Sequence, residues 1–555
     1  MSIPGQISVN DSHTYLKVQN LKEIKRDLWP SKILAINKNL VSSEAHSTGL
    51  CDVSEYVGSL PCAGLATNSS NLYAHPMEST DKPVESRRVY DVPPSDVYAE
   101  FMKTGWAPSP LEGIVQDPVI PYCFARREKL SQAFQGLRIV LPSGNSKVRS
   151  NDTDYRFRPH SAFVYYTGIQ GEEVTSDAVL VMEPNGEGHD SIMYIQPRST
   201  RDTSAFYNDR KYGELWVGRR FTTDEAAQRF GIEVRKVDDL EAVLNDGTPA
   251  VALHGEDALV DAVIKKSKRD DELVNFVSVA RLIKDDHEIN ELQKSVDVTH
   301  RGFNDAIRSL PAAIATPRGE RVVEAAFYGR ARIEGNELGY DTISAAGSHA
   351  CVLHWTRNDG AVKNGDLLLL DAGVELDSFY TADITRTFPV SGKFTPAQRS
   401  LYMLVYEAQK AGFAAIRAGV DFLEINKACH TVLAQGLVDM GVLTISAEES
   451  MRPEVGLHKR WTLHGVSHML GLDVHDCAQA RKDQYTNAKL EAGMVLTVEP
   501  GLYIQPDDEL FAPEYRGIGI RIEDDVLVTE TGCINLSENM PRHPDEIEAW
   551  MASLR

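Results

Sequence analysis

From about Val119 onward, apolar positions recur in patterns that name their elements, whereas the first ~115 residues show no sustained period. Stretches such as Thr67–Tyr73 and Pro76–Arg88 are polar and rich in Ser and Pro; one short helix is expected between Ser95 and Gly105, before the loop WAPSPLEG. Residues 1–117 are therefore expected to form a largely irregular extension, with an internal start (for example Met77) as the alternative. Beyond it, CFARREKLSQAF (123–134) reads as an amphipathic helix and LRIVLPSG (137–144) as a strand ending in a turn. AFVYYTGI (162–169), DAVLVMEP (177–184) and SIMYIQP (191–197) are short apolar runs bounded by Gly, Pro or polar residues, which predicts strands. With helices near Asp224–Phe230 and Gly255–Lys268, the alternation indicates an α/β domain over residues 118–285. A charged helix with apolar positions at three- and four-residue steps follows from Leu282 to about Leu310. The remainder, 286–550, mixes helices with long strands and carries the chemistry.

Two segments of that last region repeat one pattern. Gly365-DLLLL-Asp371-Ala-Gly373 can be laid on Gly493-MVLTV-Glu499-Pro-Gly501. In each, a Gly opens an apolar strand, an acid closes it and a second Gly stands two residues later. Each is followed by a further strand with its own acid, Asp383 in ADITRT and Glu523 in IRIED. A duplicated strand pair would set these four carboxylates around a pseudo-twofold axis. An acid ending a run of four leucines is at least partly desolvated; alone, it equally serves as a cap or salt-bridge partner. Four converging carboxylates repel one another and raise their proton affinities unless cations neutralise them, and two divalent ions would balance the charge.

Composition narrows the class. At 555 residues the chain exceeds one ordinary core, so two or more domains are expected. Its 80 acidic against 58 basic side chains, net −22, argue against a general nucleic-acid or anionic-membrane binder. No apolar run is long enough to span a bilayer, and the first residues lack the basic and apolar stretches of a secretory signal. Seven scattered cysteines without a C-x-x-C pair suit a reducing cytoplasm rather than a disulfide framework or zinc ribbon.

A histidine cluster supplies the remaining donor. His464, His468 and His475 fall within HGVSHMLGLDVHD, a high local density. The His464/His468 step resembles the zinc helix H-E-x-x-H, but Gly465 replaces the required Glu, so a zincin is not expected.

HGVSHMLGLDVHD (464–476), VLTVEPGLYI (495–504), GIGIRIEDDVLVTETG (517–532) and LDAG…ADITRTFPVSGKFT (370–395) together resemble the pita-bread metallopeptidases, most closely aminopeptidase P. The resemblance extends through YYTGI and LWVGRR (215–220) and covers roughly 118–550. It implies an α/β N-terminal domain (creatinase-like) followed by an α+β pita-bread catalytic domain. It further implies hydrolysis of Xaa-Pro bonds at a free N-terminus, with Asp371, Asp383, His468, Glu499 and Glu523 holding two divalent ions, most often Mn²⁺. In that pattern Asp383 and Glu523 bridge the ions, His475 bonds the substrate carbonyl, and His354 and His464 position substrate and leaving group. Glu499 is the candidate proton shuttle, because a ligand carboxylate can accept the water proton and pass it to the leaving nitrogen. Arg521, two residues before Glu523, is expected to face the same way along a strand and fix that carboxylate. Tyr503 reads as core packing. Trp216 matches a family tryptophan that approaches a neighbouring subunit, so a homodimer or homotetramer is implied. The Asp371–Asp383 step of twelve residues is one longer than the family's, which places a bulge or longer turn in ELDSFYT. Prolidase, restricted to dipeptides, is the nearest alternative, and a catalytically inactive peptide-binding module the next.

Overall fold

The computed structural model describes residues 95–173 and 176–555. Most of the expected irregular extension, including Met77, lies outside the described residues. The short helix expected near its end is present at Asp96–Met102, started by the Ser95 hydroxyl accepting from the Tyr98 amide.

The helix Ile120–Ala133 leads into a mixed five-stranded sheet. Strand Arg138–Pro142 pairs antiparallel with Val179–Pro184 and parallel with Ala250–Ala252. His189–Ile195 continues the sheet antiparallel, and Glu233–Lys236 closes it in parallel. The helix near Asp224 runs Thr223–Phe230, with a Thr222/Glu225 capping box. Two expectations need correction. The run AFVYYTGI is a helix, Ser161–Thr167, not a strand. It is buried on all sides, and a continuous apolar run carries no periodicity to separate the two forms. What decides it is local: the His160 ring accepts from the Ala162 amide at 3.2 Å, and Gly168 ends the helix at φ 71°. The helix expected at Gly255–Lys268 is confined to Ala258–Val263, and a further helix, Lys268–Val279, follows it, started by a Ser267/Asp270 capping box.

The charged helix begins at Asp286, where Asp285 and Glu288 form a capping box, and runs to Ile314. It packs against Gly319–Glu334, and a second helix pair, Pro396–Ala415 with Leu423–Asp439, recurs further along. Each pair precedes an antiparallel strand pair. Leu367–Ala372 pairs with Ile384–Pro389, placing Asp371 opposite Thr385. Val495–Val498 pairs with Asp524–Val528, with Glu499 and Glu523 at the open end. The repeat read in the sequence is thus a repeat of strand pairing. Gly373 follows from the same geometry, since a Cβ there would run into the Ala382 carbonyl beside Asp383. Among the described residues no helix is long and apolar enough to cross a membrane.

The two strand pairs are joined at their acidic ends. The Glu523 amide donates to the Thr385 carbonyl at 3.1 Å, and the Asp383 amide to the Asp525 carboxylate at 3.1 Å. Arg386, wholly buried, donates to the Asp524 carboxylate at 2.7 Å and to the carbonyls of Thr385, Glu523, Met540 and Pro541. Removing one member of such a pair leaves an uncompensated buried charge. Arg386→Met is therefore expected to destabilise the protein by about 3–5 kcal/mol, read as a lower urea midpoint; an unchanged midpoint would show that this junction does not hold the halves together.

The twelve-residue step from Asp371 to Asp383 is taken up by a tight reversal. Val374–Glu375 leads into a turn in which the Phe379 amide donates to Leu376 and the Leu376 amide to Tyr380, and Phe379 sits at φ 66°. A phenylalanine tolerates this strained conformation because its ring is fully buried and Tyr380 and Ser378 are tied to Glu288 and Glu291 on the long helix.

Candidate metal centre and active-site cavity

His468 reaches the strand ends without a helix. Its segment lies along Val495–Val498: the Thr497 amide donates to the His468 carbonyl at 2.9 Å and the Glu499 amide to the Val466 carbonyl at 2.9 Å. This register sets the imidazole beside the acids. Ligand atoms of Asp383, His468 and Glu523 all lie within 4.8 Å of one another. His468 Nε2 is 3.3 Å from Asp383 Oδ2 and 3.6 Å from Glu499 Oε1, while its Nδ1 faces the Met469 carbonyl at 3.1 Å. Asp371 and Glu499 line the same cavity of about 630 Å³, as do His354, His464, His475 and Arg521. Every site residue expected from the sequence is therefore gathered around one cavity.

Proton affinities in the cavity are strongly displaced. Burial, with the charge of Asp383 adding to it, raises Glu523 well above the usual carboxylate range. Burial also raises Asp371, against the pull of Arg521. Burial pushes Glu499 up to about 7, although His468 opposes it. Burial works against a charge on His468, yet its hydrogen bond to Asp383 and the nearby Glu499 lift it to about 9. His464 moves the other way, to about 4, through burial and then the Arg521 charge. Burial and the neighbouring His468 lower His475. Carboxylates that prefer a proton when packed together are groups a cation would relieve. The donor set, four carboxylates and one imidazole, fits hard divalent ions.

A second set of side chains orients the first, and most of it gave no signal in the sequence. The Tyr340 hydroxyl is within 2.6 Å of Asp371 and 2.5 Å of Asp383. Thr385 donates to Glu523 at 2.6 Å. Arg521 does not fix Glu523 directly. Both side chains line the cavity, but the guanidinium pairs with Asp371 and donates to Thr385 at 3.1 Å and Tyr503 at 2.9 Å, so it reaches Glu523 through the Thr385 hydroxyl. Tyr503 is buried, as expected of core, but its hydroxyl also meets His464 Nε2 at 2.8 Å. His464 Nδ1 faces the Gly465 carbonyl at 2.7 Å, so a neutral His464 donates there and accepts from Tyr503. The polar line Asp371–Arg521–Tyr503–His464 is complete.

The chain matches the model of metallopeptidase family M24 over residues 290–530 and that of the aminopeptidase P N-terminal domain over 123–250. It is 50% identical to Xaa-Pro aminopeptidase 1 of Streptomyces coelicolor, covering 86% of this chain and 96% of that one. It is 34% identical to the Xaa-Pro aminopeptidase of Escherichia coli, over 78% and 97% of the two chains. A solved structure of zinc-substituted E. coli aminopeptidase P in complex with product superposes with a TM-score of 0.68 at 33% identity, covering 79% of this chain and 99% of that one. Fold and site thus define a metallopeptidase with an aminopeptidase P N-terminal domain. The chain belongs to the aminopeptidase P family of M24 metallopeptidases.

Proposed function

We propose that this chain removes the N-terminal residue from peptides with proline in second position, using two divalent metal ions held by Asp371, Asp383, His468, Glu499 and Glu523. The observation that supports it is the gathering of these five donors and three further histidines around one cavity. Bound there, the metal pair would activate a water molecule and polarise the scissile carbonyl. Asp383, Glu523 and His468 form a tight group that would hold a metal ion between them. The oxygen-rich donor set favours Mn²⁺ over structural Zn²⁺.

The chain's own residues carry the proton and the substrate. Glu499 takes the proton of the attacking water and delivers it to the proline nitrogen; its carboxyl lies at the end of Val495–Val498, inside the cavity. His475 donates to the substrate carbonyl, while His354 and His464 position the substrate and the leaving group. Arg521 acts through Asp371 and Tyr503, setting the first ligand and the neutral form of His464. Leu215, Trp216 and Val217 are each about half exposed on one turn, which supports assembly into a dimer or tetramer. The described cysteines are free, which agrees with a reducing cytoplasm.

Chelated enzyme supplied with Mn²⁺ is expected to cleave an Xaa-Pro-Yaa tripeptide efficiently and an Xaa-Pro dipeptide poorly, monitored by release of the first amino acid. Hydrolysis of the dipeptide alone would favour prolidase, and cleavage of neither would favour a binding module.

A further inference from the structure

His354 stands on the loop between the strands Ile343–Ala346 and Leu367–Ala372. Leu353, His354 and Thr356 line the catalytic cavity, and His354 is itself exposed. A side chain on a loop is aimed less closely than one on a helix or strand unless hydrogen bonds behind it lock the backbone. The lock here is a buried carboxylate that neither the metal donors nor the proposed mechanism uses.

Glu320 lies in the first turn of the helix Gly319–Glu334 and is fully buried. Its Oε1 accepts from the Ala346 amide at 2.8 Å and faces His349 Nδ1 at 2.7 Å. Its Oε2 accepts from the Trp355 indole at 2.8 Å and from the Gly360 amide at 2.6 Å. An ionised carboxylate only accepts, so His349 Nδ1 carries a proton and donates. One side chain thus takes four N–H groups, drawn from the start, the middle and the end of the loop. The Trp355 ring stacks on His349 with centroids 3.9 Å apart. Gly360 closes the arrangement, because a Cβ there would lie 2.5 Å from the His349 ring and 2.7 Å from Glu320 Oε2. Trp355 does not line the cavity, and its half-buried indole and the exposed imidazole of His354 sit on adjacent residues. Four donors converging on two oxygens require a carboxylate: a carboxamide of the same shape would set its NH2 against two N–H groups.

We infer that Glu320 is a positioning residue for Xaa-Pro hydrolysis: through Trp355 and His349 it fixes the loop that aims His354 at the substrate. This rests on the reading of the chain as an Xaa-Pro aminopeptidase in which His354 positions the substrate. Glu320 touches neither substrate nor metal, and its effect on the reaction passes through His354.

The test uses the Mn²⁺-loaded full chain and an Xaa-Pro-Yaa tripeptide. Glu320→Gln and Trp355→Phe are each measured alone and each combined with His354→Ala. Trp355→Phe removes one donor and keeps an aromatic ring beside His349, so it decides the matter even where Glu320→Gln fails to fold. Each single variant is expected to lower kcat/KM about tenfold or more, the loss a displaced positioning group produces. In the His354→Ala background the same changes should cost less than about twofold, because the group they displace is already gone. A purely structural role would cost the same in both backgrounds. Losses of equal size with and without His354 therefore overturn the inference, and so does Trp355→Phe at wild-type kcat/KM. His354→Ala at wild-type kcat/KM is a different result: it removes the role given to His354, and the inference falls with it. Wild-type enzyme cleaving no Xaa-Pro peptide at all overturns the aminopeptidase reading and what rests on it.

Discussion

Glu499→Ala is expected to lower kcat on an Xaa-Pro-Yaa peptide by about 10³-fold or more while leaving the fold intact. The size follows from two losses at one position. A general acid–base group contributes about 10²–10⁴-fold, and this carboxylate is also one of the five proposed metal donors. Stability should not follow activity downward. In the metal-free protein, burial holds the carboxyl at about 7, so near neutral pH it is a charge the fold tolerates at a cost. Alanine removes that cost, and the chelated variant should melt no lower than chelated wild type. The test is kcat with saturating Mn²⁺ beside circular dichroism and a melting curve. A kcat within tenfold of wild type would remove Glu499 from the mechanism; a collapsed melting curve would make it a structural residue.

Removing metal from the wild-type protein should abolish peptide cleavage and lower its melting temperature, and Mn²⁺ should restore both. The pH dependence of the metal-free protein carries the sharper test. His468 is held at about 9 against 6.5 for an ordinary histidine, and Glu499 at about 7 against 4.5. Both folded values lie above the unfolded ones, so the folded chain binds the extra protons and the stability they supply is lost as pH rises through the folded values. From about pH 7.5 to about pH 8.5, histidines with lowered affinity, such as His464 at about 4, are nearly all neutral in both states and contribute little. Stability of the chelated protein should therefore fall across that window, by at most about 1.4 kcal/mol per pH unit for each proton released. Metal binding displaces the same protons, so it tightens as pH rises, and the gap between loaded and chelated melting temperatures should widen. A chelated protein whose melting temperature is flat or rising over that window would show that these donors do not face one another as described.

The legibility of the site varied with the kind of signal each residue leaves. Asp371, Asp383, Glu499 and Glu523 stand at the ends of repeated apolar strands, and the pairing of those strands is the arrangement the repeat implied. His464, His468 and His475 are close in sequence and close in space. Tyr340 left no signal, because its hydroxyl reaches Asp371 and Asp383 from a loop over thirty residues away. Thr385 and Asp525 sat inside the matched segments without their partners being apparent. Arg521 lines the cavity with Glu523, as the two-residue spacing suggests, but its direct carboxylate partner is Asp371, 150 residues away, which spacing along the chain does not encode. Ser161–Thr167 was misread because burial on every side erases the periodicity that distinguishes helix from strand.

While the pita-bread plan followed from the resemblance of its long motifs to a known family, the sequence by itself determined the α/β alternation ahead of the repeated strands, the four acids at strand ends and the histidine cluster. These are local facts: an apolar run, its period and the residue that ends it. Only the tertiary structure decided which carboxylates face one another, which hydroxyls and guanidinium hold them, and which way each proton affinity moves. Those depend on burial and on distances of a few ångströms between segments more than a hundred residues apart, as between Arg521 and Asp371 or Thr385 and Glu523. Charge interactions and desolvation act through space, and the order of residues along the chain does not encode that separation directly.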